Sequence, residues 1–237
     1  MSKLKSILLK LQGPLQAWGT GSNFETRHTD DYPSKSGVLG LLAASLGYRR
    51  DEEEKLKKLN ELDFGVRIDQ AGVLLRDYHI AQKLKSNGTL DRNYVTNRYY
   101  LSDAIFLVAL SHSDDDFIKE IYESLKKPYF QTFLGKRSCP VTYDFIMGIY
   151  EEEAIELLKK TDWQASKFNR LTKSNRLKIC GDSKIINNSR EKLRKDKAIS
   201  FSQRERKFDY RGESFLYIEV DRNVGETEHD AFGAIGG

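Results

Sequence analysis

The run AIFLVAL, Ala104–Leu110, is the most apolar short stretch of the 237-residue chain and decides the fold. A short, continuous apolar run of this kind indicates a strand that is buried inside a sheet. Its aliphatic and aromatic side chains suit a packed strand surface. AIFLVAL therefore predicts a central strand, and the remaining elements are placed outward from it.

The segments on either side of this strand alternate between strand and helix patterns. Ahead of it we predict a strand, an apolar helix capped by Ser34 or Ser36, a charged helix and a short strand, over Lys3–Leu11, Val38–Leu46, Asp51–Leu62 and Phe64–Asp69. After it, Asp114–Asp116 begin a helix that Pro128 ends, and residues 142–150 form another strand. This order predicts an α+β, ferredoxin-like domain of the RNA-recognition type over residues 1–150.

A polar β-hairpin is predicted at about residues 74–100. Two strand-like runs flank Asn87-Gly88, a pair that favours a tight hairpin turn. The hairpin is too polar for a core, since it carries Arg76, Lys83, Lys85, Arg92 and Arg98 together with Tyr78, Tyr94, Tyr99 and Tyr100. Arginines bind phosphates and aromatic rings stack on splayed bases. We therefore expect a protruding hairpin that binds single-stranded RNA.

Composition limits the class of protein. Hydrophobic residues make up 39% and charged residues 31%, which is typical of a soluble globular chain. No run approaches the ~18 apolar residues of a membrane span, so no membrane partner is expected. The two cysteines form no C-x-x-C, which fits a reducing cytosol. The four histidines show no metal-binding spacing, so we expect neither a metal nor a cofactor.

The C-terminal region, residues 151–237, is predicted to be a small basic extension that starts with a helix and closes on a strand over residues 214–220. Between Trp163 and Arg211 the chain has 15 Lys/Arg and 5 Asp/Glu, a net charge of +10, whereas the remainder has a net charge of −6. Such asymmetry indicates a polyanionic partner or a solvated surface segment, and charge alone does not choose between them.

The stretch YPSKSG, residues 32–37, suggests a phosphate site at first sight. It lacks the G-x-x-x-x-G-K-[ST] pattern that lets glycine amides converge on nucleotide phosphates, so an NTPase is excluded. A helix N-terminus remains, and Lys35, Ser36 and Gly37 are expected to contact a phosphate there.

A second candidate phosphate site is the loop LGKRSCP, residues 134–140. Gly135 permits close approach of the backbone, and Lys136, Arg137 and Ser138 supply donors suited to a phosphodiester chain. In isolation, a plain basic turn is the alternative.

A metal-independent ribonuclease is a further hypothesis. Cleavage needs a base and an acid at one phosphodiester. Tyr78 and His79, with Arg76 and Lys83 nearby in sequence, are the candidate group. The alternative is that His79 only stacks on, or hydrogen-bonds to, a partner.

Five blocks resemble, in order, the CRISPR-associated CasD family, the Cas-five subunit of type I-E Cascade. They are LQGPLQAWG (11–19), TRHTDDYPSKSGVLGLLAASLG (26–47), RRD (49–51), LRDYH (75–79) and LGKRSCP (134–140). The resemblance implies a ferredoxin-like domain with a hairpin thumb and a variable C-terminal region. It also implies a non-catalytic subunit that caps the repeat-derived 5′ handle of the CRISPR RNA. The large subunit and the adjacent backbone subunit would be its protein partners, with target DNA contacted only indirectly.

The resemblance also implies roles for individual residues. Lys136, Arg137 and Ser138 would contact the handle, and Arg27, Lys35, Ser36 and Gly37 would add phosphate contacts. The thumb and its base would carry Arg76, Tyr78, His79, Arg98 and Tyr99. In type I-C relatives the equivalent protein is itself the processing ribonuclease and uses tyrosine, lysine and histidine, which keeps the nuclease alternative open. A purely protein-binding scaffold is the third hypothesis.

Overall fold

The computed structural model describes residues 4–20, 26–186, 191–202 and 204–222. Its strands are β1 (Lys5–Gln12), β2 (Leu15–Gln16), β3 (Thr26–Arg27), β4 (Asp63–Gln70), β5 (Val73–Leu84), β6 (Leu90–Ser102), β7 (Ile105–His112), β8 (Ile146–Tyr150), β9 (Arg176–Asp182), β10 (Lys192–Ser200) and β11 (Lys207–Glu219). The helices are α1 (Lys35–Ser45), α2 (Glu53–Asn60), α3 (Asp115–Lys126), α4 (Ala154–Lys160) and α5 (Lys167–Thr172).

A seven-stranded antiparallel sheet with the order β10-β11-β9-β4-β7-β1-β8 forms the centre of the molecule. The prediction that AIFLVAL is an interior strand is confirmed, since β7 pairs with β4 on one side and β1 on the other. Phe106 and Val108 pack into the cluster that contains α1 and α3, while Leu107 and Ala109 pack against α4. The strand is continuously apolar because both faces of the sheet are covered there.

Helices cover the two faces unequally. Leu39 and Leu42 of α1 share one core cluster with Phe117 and Ile121 of α3. The opposite face is covered by α4, where Ile155 and Leu158 contact the sheet. Ser34 caps α1 by accepting a hydrogen bond from the amide of Gly37, as a helix N-cap requires. Among the described residues, no helix is long and apolar enough to cross a membrane.

The C-terminal region contributes three strands to the same sheet. β9 pairs with β4 in antiparallel register, with Val66 opposite Cys180, and β11 and β10 follow outward. Sequence analysis predicted one strand here, over residues 214–220, and missed β9 and β10. In β10 the inward positions include Arg194 and Asp196, so the buried side of this strand does not show an apolar pattern.

A buried ion network explains those inward charges. The guanidinium of Arg211 donates to three carboxylates: to Asp196 Oδ1 at 2.6 Å, to Asp182 Oδ1 at 3.1 Å and to Glu213 Oε1 at 2.8 Å. Lys35 of α1 pairs with the other oxygen of Asp182 at 2.8 Å. The first helix is thereby joined to three C-terminal strands.

Arg194 extends this network toward the segment that precedes α1. Its guanidinium contacts Glu213 Oε1 at 3.0 Å and Asp30 Oδ2 at 2.8 Å. The hydroxyl of Tyr32 donates to Glu213 Oε2 at 2.7 Å. Burial opposes ionisation of Glu213, but Arg194 and Arg211 outweigh it and lower the pKa of this carboxyl.

The predicted hairpin is present as β5 and β6. The two strands pair from Val73 opposite Ser102 to Leu84 opposite Leu90, with a register shift near the tip. Gly88, in the turn, has a φ of 80°. Every side chain of β5 other than that of the half-buried Asp77 is exposed, whereas Tyr100 and Leu101 near the end of β6 pack into the core.

We expect Asp196→Ala to lower the free energy of unfolding by about 3–5 kcal/mol, because it leaves two buried guanidinium groups short of their carboxylate. Urea denaturation of the full chain measures this change. Asp209→Ala is the matched control, since it removes the same charge from an exposed position in β11 and should cost under about 0.5 kcal/mol. Equal losses for the two variants would show that the network is not a special source of stability.

Candidate nucleic-acid interface

The hairpin has two chemically different faces. Successive residues of a strand project to opposite faces, and directly paired residues of an antiparallel pair share one. One face, here called the polar face, carries Asp77, His79, Lys83, Arg92, Thr96, Arg98 and Tyr100. The other, the second face, carries Leu74, Arg76, Tyr78, Ile80, Val95, Asn97 and Tyr99. The predicted RNA-binding residues of the hairpin are therefore divided between two surfaces.

The loop at residues 134–140 is held tightly against the start of the chain. The amide of Ala17 donates to Leu134 O at 3.2 Å, and the amide of Leu134 donates to Cys139 O at 2.7 Å. Gly135 has a φ of 78°, and a Cβ at this position would lie 1.7 Å from Ala17 O. Only glycine fits this approach, and the loop presents Arg137 and Ser138 to solvent.

Lys136 folds back from this loop onto the hairpin. Its ammonium group lies 4.5 Å from the centre of the Tyr100 ring and donates a hydrogen bond to the Tyr100 hydroxyl. Burial lowers the pKa of Lys136, and repulsion by Arg98 and Arg27 lowers it further, while Cys139 and Asp77 act in the opposite direction. The loop, the hairpin and β3 therefore bring three cations together.

Arg27, Arg98 and Lys136 are called the cation cluster below. The short strand β3 runs parallel to β6 and places Arg27 directly opposite Arg98. Next to this pair, His28 stacks on Tyr99 with the ring centres 5.3 Å apart. The Nε of Arg98 is buried and has no hydrogen-bond partner within the described part of the chain. The cluster thus has an unused donor beside two other cations.

Lys35, Ser36 and Gly37 do not form the predicted phosphate site. Lys35 is buried, its amide donates to Asp196 Oδ2 at 2.9 Å, and its ammonium donates to Leu62 O at 2.6 Å as well as pairing with Asp182. Ser36 is also buried. The predicted phosphate contact is wrong because the buried ion network already uses the amide and the ammonium group of Lys35.

Gly37 has a packing role instead. A Cβ on Gly37 would come within 3.1 Å of the Trp18 ring and 3.0 Å of Ser34 Oγ. Trp18 in turn donates from its indole N–H to Gln16 Oε1 at 2.9 Å. The LQAWG segment (residues 15–19) and the SKSG segment (residues 34–37) therefore both help to pack the first helix against the sheet.

The candidate nuclease residues do not converge. Tyr78 lies on the second face, whereas His79 and Lys83 lie on the polar face. His79 Nε2 is 3.3 Å from Asp77 Oδ2, and Lys83 Nζ is 3.3 Å from Asp91 Oδ2. Among the described residues, no group of three or more metal-ligand side chains is found.

Sequence reasoning did not foresee the partners of the predicted residues. Tyr100 was assigned only a general stacking role, yet it holds Lys136. Arg76, predicted as an RNA contact, donates to Asn97 Oδ1 at 2.9 Å on the second face. Because successive residues of a strand project to opposite faces, Arg76 and Tyr100 lie on different faces of the hairpin. Once the hairpin register is known, this two-residue period predicts that separation.

The structure is that of an α+β protein with an antiparallel sheet covered by helices. The basic hairpin, with the cation cluster at the base of the hairpin, is a candidate surface for polyanions. A family model described as CRISPR-associated protein (Cas_Cas5) matches residues 6–221. The chain belongs to this family.

Known proteins support the assignment. The chain is similar to the CRISPR system Cascade subunit CasD of Escherichia coli (strain K12), with 38% identity over 160 residues, which is 60% of this chain and 70% of that protein. It is also similar to a chain of a CRISPR RNA-guided surveillance complex, with 28% identity, a TM-score of 0.72 and coverage of 91% and 90% of the two chains. A Cas protein crystal structure has 32% identity, a TM-score of 0.66 and coverage of 92% and 96%.

We expect Gly135→Ala to destabilise the protein by more than about 2 kcal/mol, because the new methyl group would collide with Ala17 O in addition to straining the backbone. Gly88→Ala is the matched control: Gly88 has a similar φ of 80° but nothing within 4 Å of its Cβ position. It should cost only about 1 kcal/mol. Urea denaturation compares the two, and equal costs would contradict the close approach at Gly135.

Proposed function

We propose that this chain is an RNA-binding subunit of a CRISPR surveillance complex of the Cascade type. It binds the repeat-derived 5′ handle of the CRISPR RNA and contacts the large subunit and the adjacent backbone subunit. Similarity to the Cascade subunit CasD supports the assembly, and similarity to a chain of an RNA-guided complex supports the ligand. The observation that carries the proposal is the convergence of Arg27, Arg98 and Lys136 beside an exposed loop.

The cation cluster suits an RNA backbone. Arginine offers a planar fork of donors to phosphate oxygens, whereas lysine adds a compact charge. Arg137 and Ser138 are exposed on the adjoining loop and extend the donor surface. The tyrosines of the hairpin offer rings for stacking on splayed bases, with Tyr78 well exposed. We therefore assign backbone contacts to the cluster and the loop.

We infer that the core is ferredoxin-like and that the hairpin acts as its thumb. The strand order β4-β7-β1-β8, with α1 and α3 packed into one cluster, is expected for a split β-α-β unit. β9, β10 and β11 extend this unit at the β4 edge. A division of the chain at residue 150 stays a prediction, as does the cytosolic location.

We propose that the subunit is not catalytic. A metal-independent nuclease needs its acid and its base at one phosphodiester. Tyr78 and His79 project to opposite faces of the hairpin, and His79 has Asp77 as its partner. This arrangement supports a binding role for the hairpin, with RNA cleavage left to another protein.

Removal of two cluster cations tests the binding proposal. Arg98→Ala with Lys136→Ala should weaken binding of repeat-derived RNA by at least about tenfold at low salt and flatten its salt dependence, because phosphate contacts release counterions. Fluorescence anisotropy with labelled RNA measures the affinity. Lys119→Ala with Lys126→Ala removes two exposed cations from α3 and should leave binding unchanged. Unchanged affinity in the cluster variant would refute this assignment.

Incubation with precursor RNA in EDTA tests the non-catalytic proposal. We expect the repeat RNA to stay intact with the unaltered protein and with His79→Ala, because Tyr78 and His79 do not meet. Denaturing gel electrophoresis detects cleavage. Specific cleavage by the unaltered protein that disappears in His79→Ala would establish the nuclease alternative.

A further inference from the structure

A cleft of about 1040 Å³ lies between the base of the hairpin and strand β9. Val73 and Ser102 form part of one wall, and Arg176 and Lys178 form part of the other. Apolar side chains, including Ile68 and Ile105, line it as well. The volume is at the upper end of the range for small-molecule pockets, so the cleft is large enough for more than one nucleotide.

Three cations border this cleft and have no ion-pair partner among the described residues. Lys173 is exposed, Arg176 lies over the Tyr217 ring at 4.6 Å, and Lys178 lies over the Phe215 ring at 4.8 Å. Contacts with ring faces leave the hydrogen-bond donors of arginine and lysine available. Arg194 of β10 and Arg211 of β11, in contrast, are surrounded by carboxylates. The cations at the cleft therefore differ from those of the neighbouring strands.

Two carboxylates in the cleft limit what it accepts. Asp69 is fully engaged by the buried Arg67, through Oδ1 at 2.7 Å and Oδ2 at 2.8 Å. Asp103 is exposed, accepts from the Ser102 hydroxyl at 3.0 Å and has a φ of 55°, a strained conformation that is concentrated at functional sites. A free carboxylate repels phosphate but accepts a hydrogen bond from a ribose 2′-hydroxyl.

The cleft continues the polar face of the hairpin. Ser102 and Val73 are directly paired and lie two residues beyond Tyr100 and Leu75 on the same face. Two residues of a strand span about 7 Å. Tyr100 is buried, but its paired residue Leu75 is exposed, so an RNA strand that leaves the cation cluster along the β5 side of the polar face reaches the cleft.

We propose that the cleft receives single-stranded RNA that extends from the cation cluster. Lys173, Arg176 and Lys178 bind its phosphates, and the apolar lining receives a base. This inference rests on the proposed function, since it requires RNA at the cluster. It gives part of the basic segment, residues 163–211, a defined partner.

The test combines Lys173→Ala, Arg176→Ala and Lys178→Ala in the full-length protein. The probe is a fluorescein-labelled single-stranded repeat RNA of ~16 nucleotides, and anisotropy gives its affinity at several salt concentrations. We expect binding at least about tenfold weaker and a salt slope reduced by about 2, because each phosphate contact on a single strand contributes about 0.7. The control, Lys192→Ala, Lys195→Ala and Lys197→Ala, removes the same charge from exposed positions of β10.

The outcomes separate this inference from the proposed function. If the unaltered protein does not bind the RNA, both fail. If it binds, and only the cluster variant loses binding, the cleft proposal alone is overturned. This result is expected if a protein, and not RNA, occupies the cleft. Equal weakening by the β10 control would also overturn it. Lys173→Glu alters one exposed side chain and should weaken binding too, which guards against misfolding of the triple variant.

Discussion

The carboxylates around Arg211 hold the first helix and the three C-terminal strands together. One buried guanidinium contacts Asp182, Asp196 and Glu213, which belong to three different strands, and Asp182 also pairs with Lys35 at the start of α1. Removing one partner from such a network leaves a charge without compensation in a medium of low polarity, which strongly destabilises the fold. The C-terminal strands are thereby joined to the first helix, although Arg194 and Asp196 of β10 point inward.

This placement has a functional consequence at the other end of the sheet. Because β9 is held beside β4, its first residues stand across from the base of the hairpin and create a cleft. The cations of β9 that are not used in the network border this cleft. The same segment therefore contributes buried ion pairs at one end, and at the other end cations that have no ion-pair partner in the described part of the chain, so its excess positive charge is not a uniform surface property.

Sequence reasoning predicted much of the fold. Apolar periodicity and caps located β1, α1, β4, β7, α3 and β8, and Asn87-Gly88 located the hairpin. It missed β10, where the inward Arg194 and Asp196 replace apolar residues, and it missed β9, a short run in which the buried Leu177, Ile179 and Cys180 are interrupted by charged residues. For the candidate site, Arg27, Arg98 and Lys136 were predicted as RNA contacts in three separate segments and not as neighbours, whereas Lys35, predicted to contact a phosphate, is part of the core. A lysine at the start of a helix shows the same local sequence pattern whether it binds a ligand or is buried in the core.

By itself the sequence determined the local elements, the family resemblance and the residue types available for phosphate binding, because these depend on side chains a few positions apart. The tertiary structure decided which of the described cations pair with carboxylates. That outcome depends on contacts between distant parts of the chain: Lys35 meets Asp182, whereas Lys136 meets Tyr100 near Arg98. Burial and charge pairing are properties of the packed chain, and so the location of the candidate binding surface follows from the fold.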